Sequence, residues 1–142
     1  MTQVSEAMTR SVRSISPDDS LVAAAQAMEE LDVGVLPVCD GEELIGVVTD
    51  RDIVVRGVAQ ECPLDETTVM DVMTEDTVCC FEDDTIEDVQ AKMREAQIRR
   101  VPVVDKDRHL VGMLSLADLA NRSTPHELGE TISEISQPGN AS

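Results

Sequence analysis

The chain has 142 residues, a 42% hydrophobic share and a formal net charge of -18. That length supports one compact domain with a real core, and since Phe81 is the only aromatic residue, the core is expected to be aliphatic and filled with methionine. A nucleic-acid groove or an anionic membrane surface needs clustered Lys and Arg, and single-stranded nucleic acid needs stacking aromatics, so neither partner is expected.

In chain order, Val4–Met8 is a short lead segment, followed by an extended piece around Arg13–Ile15. Ser20 is a predicted N-cap, and Leu21, Ala24, Ala25, Met28 and Leu31 are expected on one face of the helix it starts. A strand at Val35–Cys39, a turn at Asp40–Glu42 and a second strand at Leu44–Thr49 run into a helix over Arg51–Ala59. The polar stretch Gly57–Thr68 holds Pro63 and reads as a linker.

The same set then returns. Met8-Thr9 matches Met73-Thr74, Asp18-Asp19-Ser20-Leu21 matches Asp83-Asp84-Thr85-Ile86, and Pro37-Val38 matches Pro102-Val103, each 65 residues on. Leu44, Gly46 and Asp52 match Leu110, Gly112 and Asp118 at a separation of 66, so one residue has been added between Asp105 and Leu110, where a hairpin turn absorbs it. The second copy therefore reads as a lead segment at Val69–Met73, an extended piece at Val78–Phe81, a helix capped by Thr85 with Asp88, strands at Arg100–Val104 and Leu110–Ser115, and a helix at Leu116–Asn121. Strands apolar on both faces suit a sheet covered by helices. The fold class is α/β or α+β, with the order β-α-β-β-α twice and two sheets face to face; the divisions are residues 1–68, 69–122 and a polar tail at 123–142. In the tail, Thr124 and Pro125 would start a short helix lined by Leu128, Ile132 and Ile135, and the stretch from Pro138 onward reads as mobile.

The chemistry concentrates where each copy's second strand meets its last helix, LIGVVTDRDI at Leu44–Ile53 and LVGMLSLADL at Leu110–Leu119. Each apolar run closes on a hydroxyl and carries an acid three residues later: Thr49 with Asp52, and Ser115 with Asp118. A strand turning straight into a helix leaves backbone N–H groups without partners, and the hydroxyl and carboxylate beside them suit the edges of a small polar ligand, a nucleotide, held without reaction. The plainer role for Asp52 and Asp118 is helix capping, and for Arg99 and Arg100 solvation or ion pairs with Glu95 and Asp105. The acid runs Asp40–Glu43 and Glu82–Asp84 read as solvated turns. No Ser/His/Asp set, P-loop, paired-carboxylate cleft or Gly-rich dinucleotide loop is present, and His109 and His126 stand without a nucleophile, so the chain is not expected to be an enzyme.

Taken together, the lead Met-Thr, the acid-acid-Ser/Thr-aliphatic helix start, the hydrophobic-Pro-Val strand and the Gly-x-x-Thr/Ser-x-x-Asp junction resemble a CBS domain, twice over residues 4–122. A tandem pair of this kind is a Bateman module, and the chain is similar to stand-alone CBS-pair proteins. The resemblance implies two repeats in pseudo-two-fold symmetry, a homodimer formed through helices, and a cleft between the repeats for an adenosine-type ligand such as AMP, ADP, ATP or S-adenosylmethionine. It implies that Asp52 and Asp118 grip ribose hydroxyls, that Thr49 and Ser115 hold ribose or phosphate, and that Val12, Ile15, Leu36, Thr77, Cys80 and Val101 line the adenine slots. Arg51, beside the helix start, and Arg100, reaching across from the other repeat, would make the Thr49/Asp52 corner the better phosphate site, and the Ser115/Asp118 corner a weaker one or one for an uncharged nucleoside-like group; charge-assisted bonds of this type are strong. No cofactor is required, and the ligand would act as a regulatory signal to a protein target. The alternative is a ligand-free CBS-pair stress or interaction scaffold, and a weaker one is a metal or redox switch through Cys39 or the acidic turns.

Cys39, Cys62, Cys79 and Cys80 form no CxxC or Cys/His pattern and are expected as free thiols, with no metal site. With no run of 18 apolar residues and no basic, apolar leader at MTQVSEAMTR, the expected location is the cytoplasm.

Overall fold

The computed structural model describes residues 2–75, 77–120 and Ile135. The chain forms two compact units, one running from Arg13 to Thr77 and one joining the residues up to Val12 with those from Val78 onward. Each is a small sheet with helices, an α+β arrangement.

In the Arg13–Thr77 unit, helix α2 (Leu21–Leu31; α1, Val4–Ala7, belongs to the other unit) begins at Ser20, whose hydroxyl accepts the Ala23 amide at 3.1 Å. It ends on Asp32 in the left-handed region, φ 55°, a conformation that Asp tolerates better than bulkier residues. The buried stripe is Leu21, Ala24, Ala27 and Met28. Ala25 and Leu31, expected on that stripe, are exposed, because the buried face is turned toward Ala27. Strands β1 (Val35–Asp40) and β2 (Glu43–Thr49) pair antiparallel from Val35 opposite Thr49 to Asp40 opposite Glu43, around Gly41 at φ 64°. Leu36 to Cys39 are buried in succession, as in a strand covered on both sides, whereas β2 alternates: Leu44, Gly46 and Val48 are buried, Ile45, Val47 and Thr49 only partly. Helix α3 (Asp50–Asp52) follows and passes into a π-helical stretch, Ile53–Val58. The expectation of one ordinary helix over Arg51–Ala59 gives way here to a wider turn, in which the Ala59 amide reaches the Val54 carbonyl.

The linker is pinned rather than loose at its end. The Thr67 hydroxyl donates to the Pro63 carbonyl at 2.7 Å, and the Leu21 amide donates to the Thr67 carbonyl. Helix α4 (Val69–Val72) is the lead segment of the second sequence copy, yet it packs in this unit. Its amides Val69 and Met70 donate to the Asp19 and Pro17 carbonyls, and Thr74 exchanges both backbone bonds with Val47, at 2.8 and 3.0 Å. Val69, Val72 and Met73 join Ile15, Leu36, Val38, Val48 and Ile53 in one core.

The second unit repeats the plan with the lead segments exchanged. Helix α1 (Val4–Ala7) donates its Val4 and Ser5 amides to the Asp84 and Glu82 carbonyls, and Thr9 exchanges backbone bonds with Met113. The compact units are thus offset from the sequence copies by one lead segment each. Strand β3 (Cys80–Phe81) lies parallel to β4 (Arg100–Val104), which pairs antiparallel with β5 (Leu110–Ser115). Helix α5 (Ile86–Ala96) is capped by the Thr85 hydroxyl, which accepts the Asp88 amide at 3.2 Å, and α6 (Leu116–Leu119) follows β5. Val4, Cys80, Val89, Met93, Val101 and Leu114 fill the core, and Ile135 of the tail is buried among them. Thr124, Pro125, Leu128, Ile132 and the stretch from Pro138 lie outside the described residues.

The added residue sits in the β4–β5 turn. Asp105 Oδ1 accepts the Asp107 and His109 amides, both at 2.9 Å, and Arg108 takes φ 65°. These bonds, the His109 amide first, hold the Asp105 carboxyl below its ordinary pKa. A carboxylate favoured by the fold strengthens the turn above its unfolded pKa, and the contribution disappears as pH falls through the lower folded value. Acidification through that window is expected to lower the protection of the Asp107 and His109 amides relative to their intrinsic exchange rates, and Asp105→Ala to abolish that pH dependence of protection, both read by NMR.

Candidate functional site

At the first corner Thr49 is extended, φ -112° and ψ 162°, and caps α3 reciprocally. Its hydroxyl accepts the Asp52 amide at 3.0 Å, and Asp52 Oδ2 accepts the Thr49 amide at 3.0 Å. Asp52 is buried, only 9% exposed. The Thr74 hydroxyl lies 3.4 Å from each oxygen of its carboxylate, a long, shared contact. Arg56 Nε stands 4.0 Å from Asp52 Oδ1, while Nη1 donates to the Val72 and Met73 carbonyls at 3.3 and 3.2 Å, closing the end of α4. Arg51 is exposed, and its backbone amide bonds the Asp50 carboxylate. Asp50 itself lies over Gly34, where a Cβ would come within 3.0 Å of its Oδ2.

The second corner has the same cap with a different surround. Asp118 Oδ2 accepts the Ser115 amide at 2.9 Å and the Ser115 hydroxyl at 3.1 Å. Asp118 is half-buried, and among the described residues no donor reaches its Oδ1. Arg100 is the register partner of Ser115 across β4 and β5 and is exposed; Val35 has the equivalent place opposite Thr49. Among the described residues neither Arg99 nor Arg100 pairs with Glu95 or Asp105.

Of the residues expected to line adenine slots, Ile15 and Leu36 belong to the first unit's core, at 7% and 2% exposure, and Cys80 and Val101 to the second's, both at 0%. Val12 and Thr77 are half-buried, and the Thr77 hydroxyl donates to the Thr74 carbonyl at 3.1 Å. Reading the sequence singled out neither Thr74 nor Arg56 at the first corner. The repeated Met-Thr was the available signal for Thr74; nothing in the sequence brought Arg56 to the end of α4.

All four cysteines are free. Burial, then the neighbouring Asp84 charge, pushes the Cys80 thiol up to about 12, and burial also raises Cys39. Asp105, Asp107 and His109 bring possible ligand atoms within 4.8 Å of one another, with Asp105 Oδ1 already engaged in the turn. On the first unit a groove of about 220 Å³ is lined by Leu21, Val22, Ala25, Gln26, Glu29, Ile53 and Leu64. No helix among the described residues is long and apolar enough to cross a membrane.

The CBS domain family model matches residues 4–57 and 69–124. The chain is 37% identical to the uncharacterized protein YlbB of Bacillus subtilis over 99% of this chain and 95% of that protein. It is 34% identical to hypoxic response protein 1 of Mycobacterium tuberculosis over 97% of this chain and 96% of that protein. The crystal structure of Hypoxic Response Protein I with two coordinated zinc ions matches at TM-score 0.79 and 35% identity, over 87% of this chain and 100% of that one. CBSX2 in complex with AMP matches at TM-score 0.75 and 27% identity, over 86% of this chain and 96% of that one. The CBS domain pair of protein MJ0100, in complex with 5′-methylthioadenosine and S-adenosyl-L-methionine, matches at TM-score 0.70 and 27% identity, over 86% and 95%. With two matched segments that coincide with the duplicated set of strand, helix and corner, the chain belongs to the CBS domain family and carries two CBS domains in tandem.

Proposed function

We propose that this chain is a regulatory module that binds an adenosine-type nucleotide at a strand-to-helix corner and performs no chemistry on it. The observation that carries the reading is the Ser115/Asp118 corner. It holds a half-buried carboxylate with one oxygen that no donor reaches among the described residues, a hydroxyl beside it and an arginine on the adjacent strand. A carboxylate accepts both hydrogens of a ribose diol, and Arg100 matches a phosphate. Similar CBS pairs are complexed with AMP, or with 5′-methylthioadenosine and S-adenosyl-L-methionine, which supports adenosine as the shared element. Binding would shift the population of states that a protein target reads, by no more than the ligand's preference between them.

Thermal melting with AMP, ADP, ATP and S-adenosylmethionine tests this. At ten times Kd a ligand adds about 1.4 kcal/mol, an expected rise of roughly 3–6 °C for a chain of this size. The rise should vanish in Asp118→Ala. No shift with any of the four would favour the second reading, a ligand-free interaction scaffold, for which the buried, internally bonded Asp52 speaks. In either case we infer a homodimer through the face carrying Val22 and Leu64, since these exposed apolar residues line one groove with Leu21, Ala25 and Ile53. Light scattering should give twice the 15.4 kDa chain mass, and Val22→Glu with Leu64→Glu should give the monomer.

A further inference from the structure

Resting on the nucleotide reading for its ligand but on geometry alone for its mechanism, we infer that Thr74 is a specificity-determining residue. It holds the Thr49/Asp52 corner closed, so that the chain takes one adenosine-type ligand, at Ser115/Asp118. The molecule contains its own control. Thr74 and Thr9 are equivalent by the repeat, and each exchanges two backbone bonds with the strand beside its corner, Thr74 with Val47 and Thr9 with Met113. Yet only the Thr74 hydroxyl turns to the corner carboxylate, reaching both oxygens of Asp52; Thr9 is exposed and has no bond to Asp118 among the described residues.

Three features keep Thr74 there. Gly46 lets its carbonyl approach β2 so closely that a Cβ would collide with it. The Thr77 hydroxyl donates to that carbonyl, and Arg56 fastens the preceding residues through the Val72 and Met73 carbonyls. A ribose diol needs open carboxylate lone pairs. At Asp52 one oxygen takes the Thr49 amide, both face the Thr74 hydroxyl, and burial removes the approach. The residue that follows the capping hydroxyl sharpens the contrast. Asp50 adds a second carboxylate at the first corner, which offsets the charge of the neighbouring Arg51, where Leu116 and Ala117 are neutral at the second and Arg100 adjoins it.

The test combines calorimetric titration with AMP and carbodiimide labelling of carboxylates read by mass spectrometry, on the full chain. The wild type should bind one AMP, Thr74→Val should gain a second binding event, and Thr74→Ser, which restores the hydroxyl, should lose it again. Without ligand, Asp118 should label faster than Asp52; Thr74→Val should speed labelling at Asp52, while Thr9→Val leaves Asp118 unchanged. Two AMP per wild-type chain, or Asp52 labelling that ignores Thr74→Val, overturns the inference. Labelling as expected with no AMP bound by any variant supports the closed first corner and rejects the nucleotide reading instead.

Discussion

Gly46→Ala is expected to destabilise the protein by about 3 kcal/mol, combining overpacking and loss of the strand's outer bonds. The new methyl would run into the Thr74 carbonyl, a backbone atom that cannot swing aside. Relief requires Thr74 to move off β2, which breaks the two bonds it exchanges with Val47 and draws the Thr74 hydroxyl from Asp52. The midpoint of thermal unfolding should fall by roughly 6–12 °C for a chain of this size. Gly41→Ala supplies the contrast. Its Cβ meets nothing within 4 Å, and only the backbone at φ 64° resists the substitution, so its cost should be about 1 kcal/mol. Equal losses at the two positions would show that the close approach at Gly46 does not govern stability. The equivalent Gly112 faces the Met8 side chain at 2.7 Å and the Thr9 carbonyl at 2.8 Å, so a flexible neighbour absorbs part of the clash, and a smaller loss than at Gly46 follows.

Asp52→Ala should cost about 2 kcal/mol, the sum of a lost cap and a partly buried amide left without its acceptor. The Thr49 amide, the Thr74 hydroxyl and the nearby Arg56 all lose the same carboxylate. Asp118→Ala should cost about 1 kcal/mol, near the usual value of a cap, because its corner is half-exposed and water replaces the acceptor. Urea unfolding measures both, provided the slope is unchanged between variants. A cost at Asp118 equal to or above that at Asp52 would remove the distinction drawn between a structural corner and an open one.

The repeat made much of this fold legible. Ser20 and Thr85 cap the helices expected of them, and the strands at Arg100–Val104 and Leu110–Ser115 have the expected bounds. These are local matters: a hydroxyl three residues ahead of an amide, or an apolar run bounded by a turn, fixes its own conformation. The corners were legible for the same reason, since Thr49 with Asp52 and Ser115 with Asp118 are each complete within four residues. Periodicity fared less well where neighbours decide. Ala25 and Leu31 fit the helical stripe of α2 but face outward, and Arg51–Ala59 continues as a π-helical turn in which Gly57 leaves room for the Leu21 side chain, 2.7 Å from where a Cβ would stand.

The amino-acid sequence by itself determined the duplicated unit, its element types and the hydroxyl–carboxylate pair at each corner, because all of these rest on short-range spacing. Only the tertiary structure decided that each lead segment packs with the other copy's strands and that Asp52 is buried beneath Thr74, while among the described residues no donor reaches Asp118 Oδ1. The lead segments share Val, Met and Thr in both copies; which strand receives their backbone bonds, and hence which carboxylate is covered, is settled by packing between residues far apart in the chain.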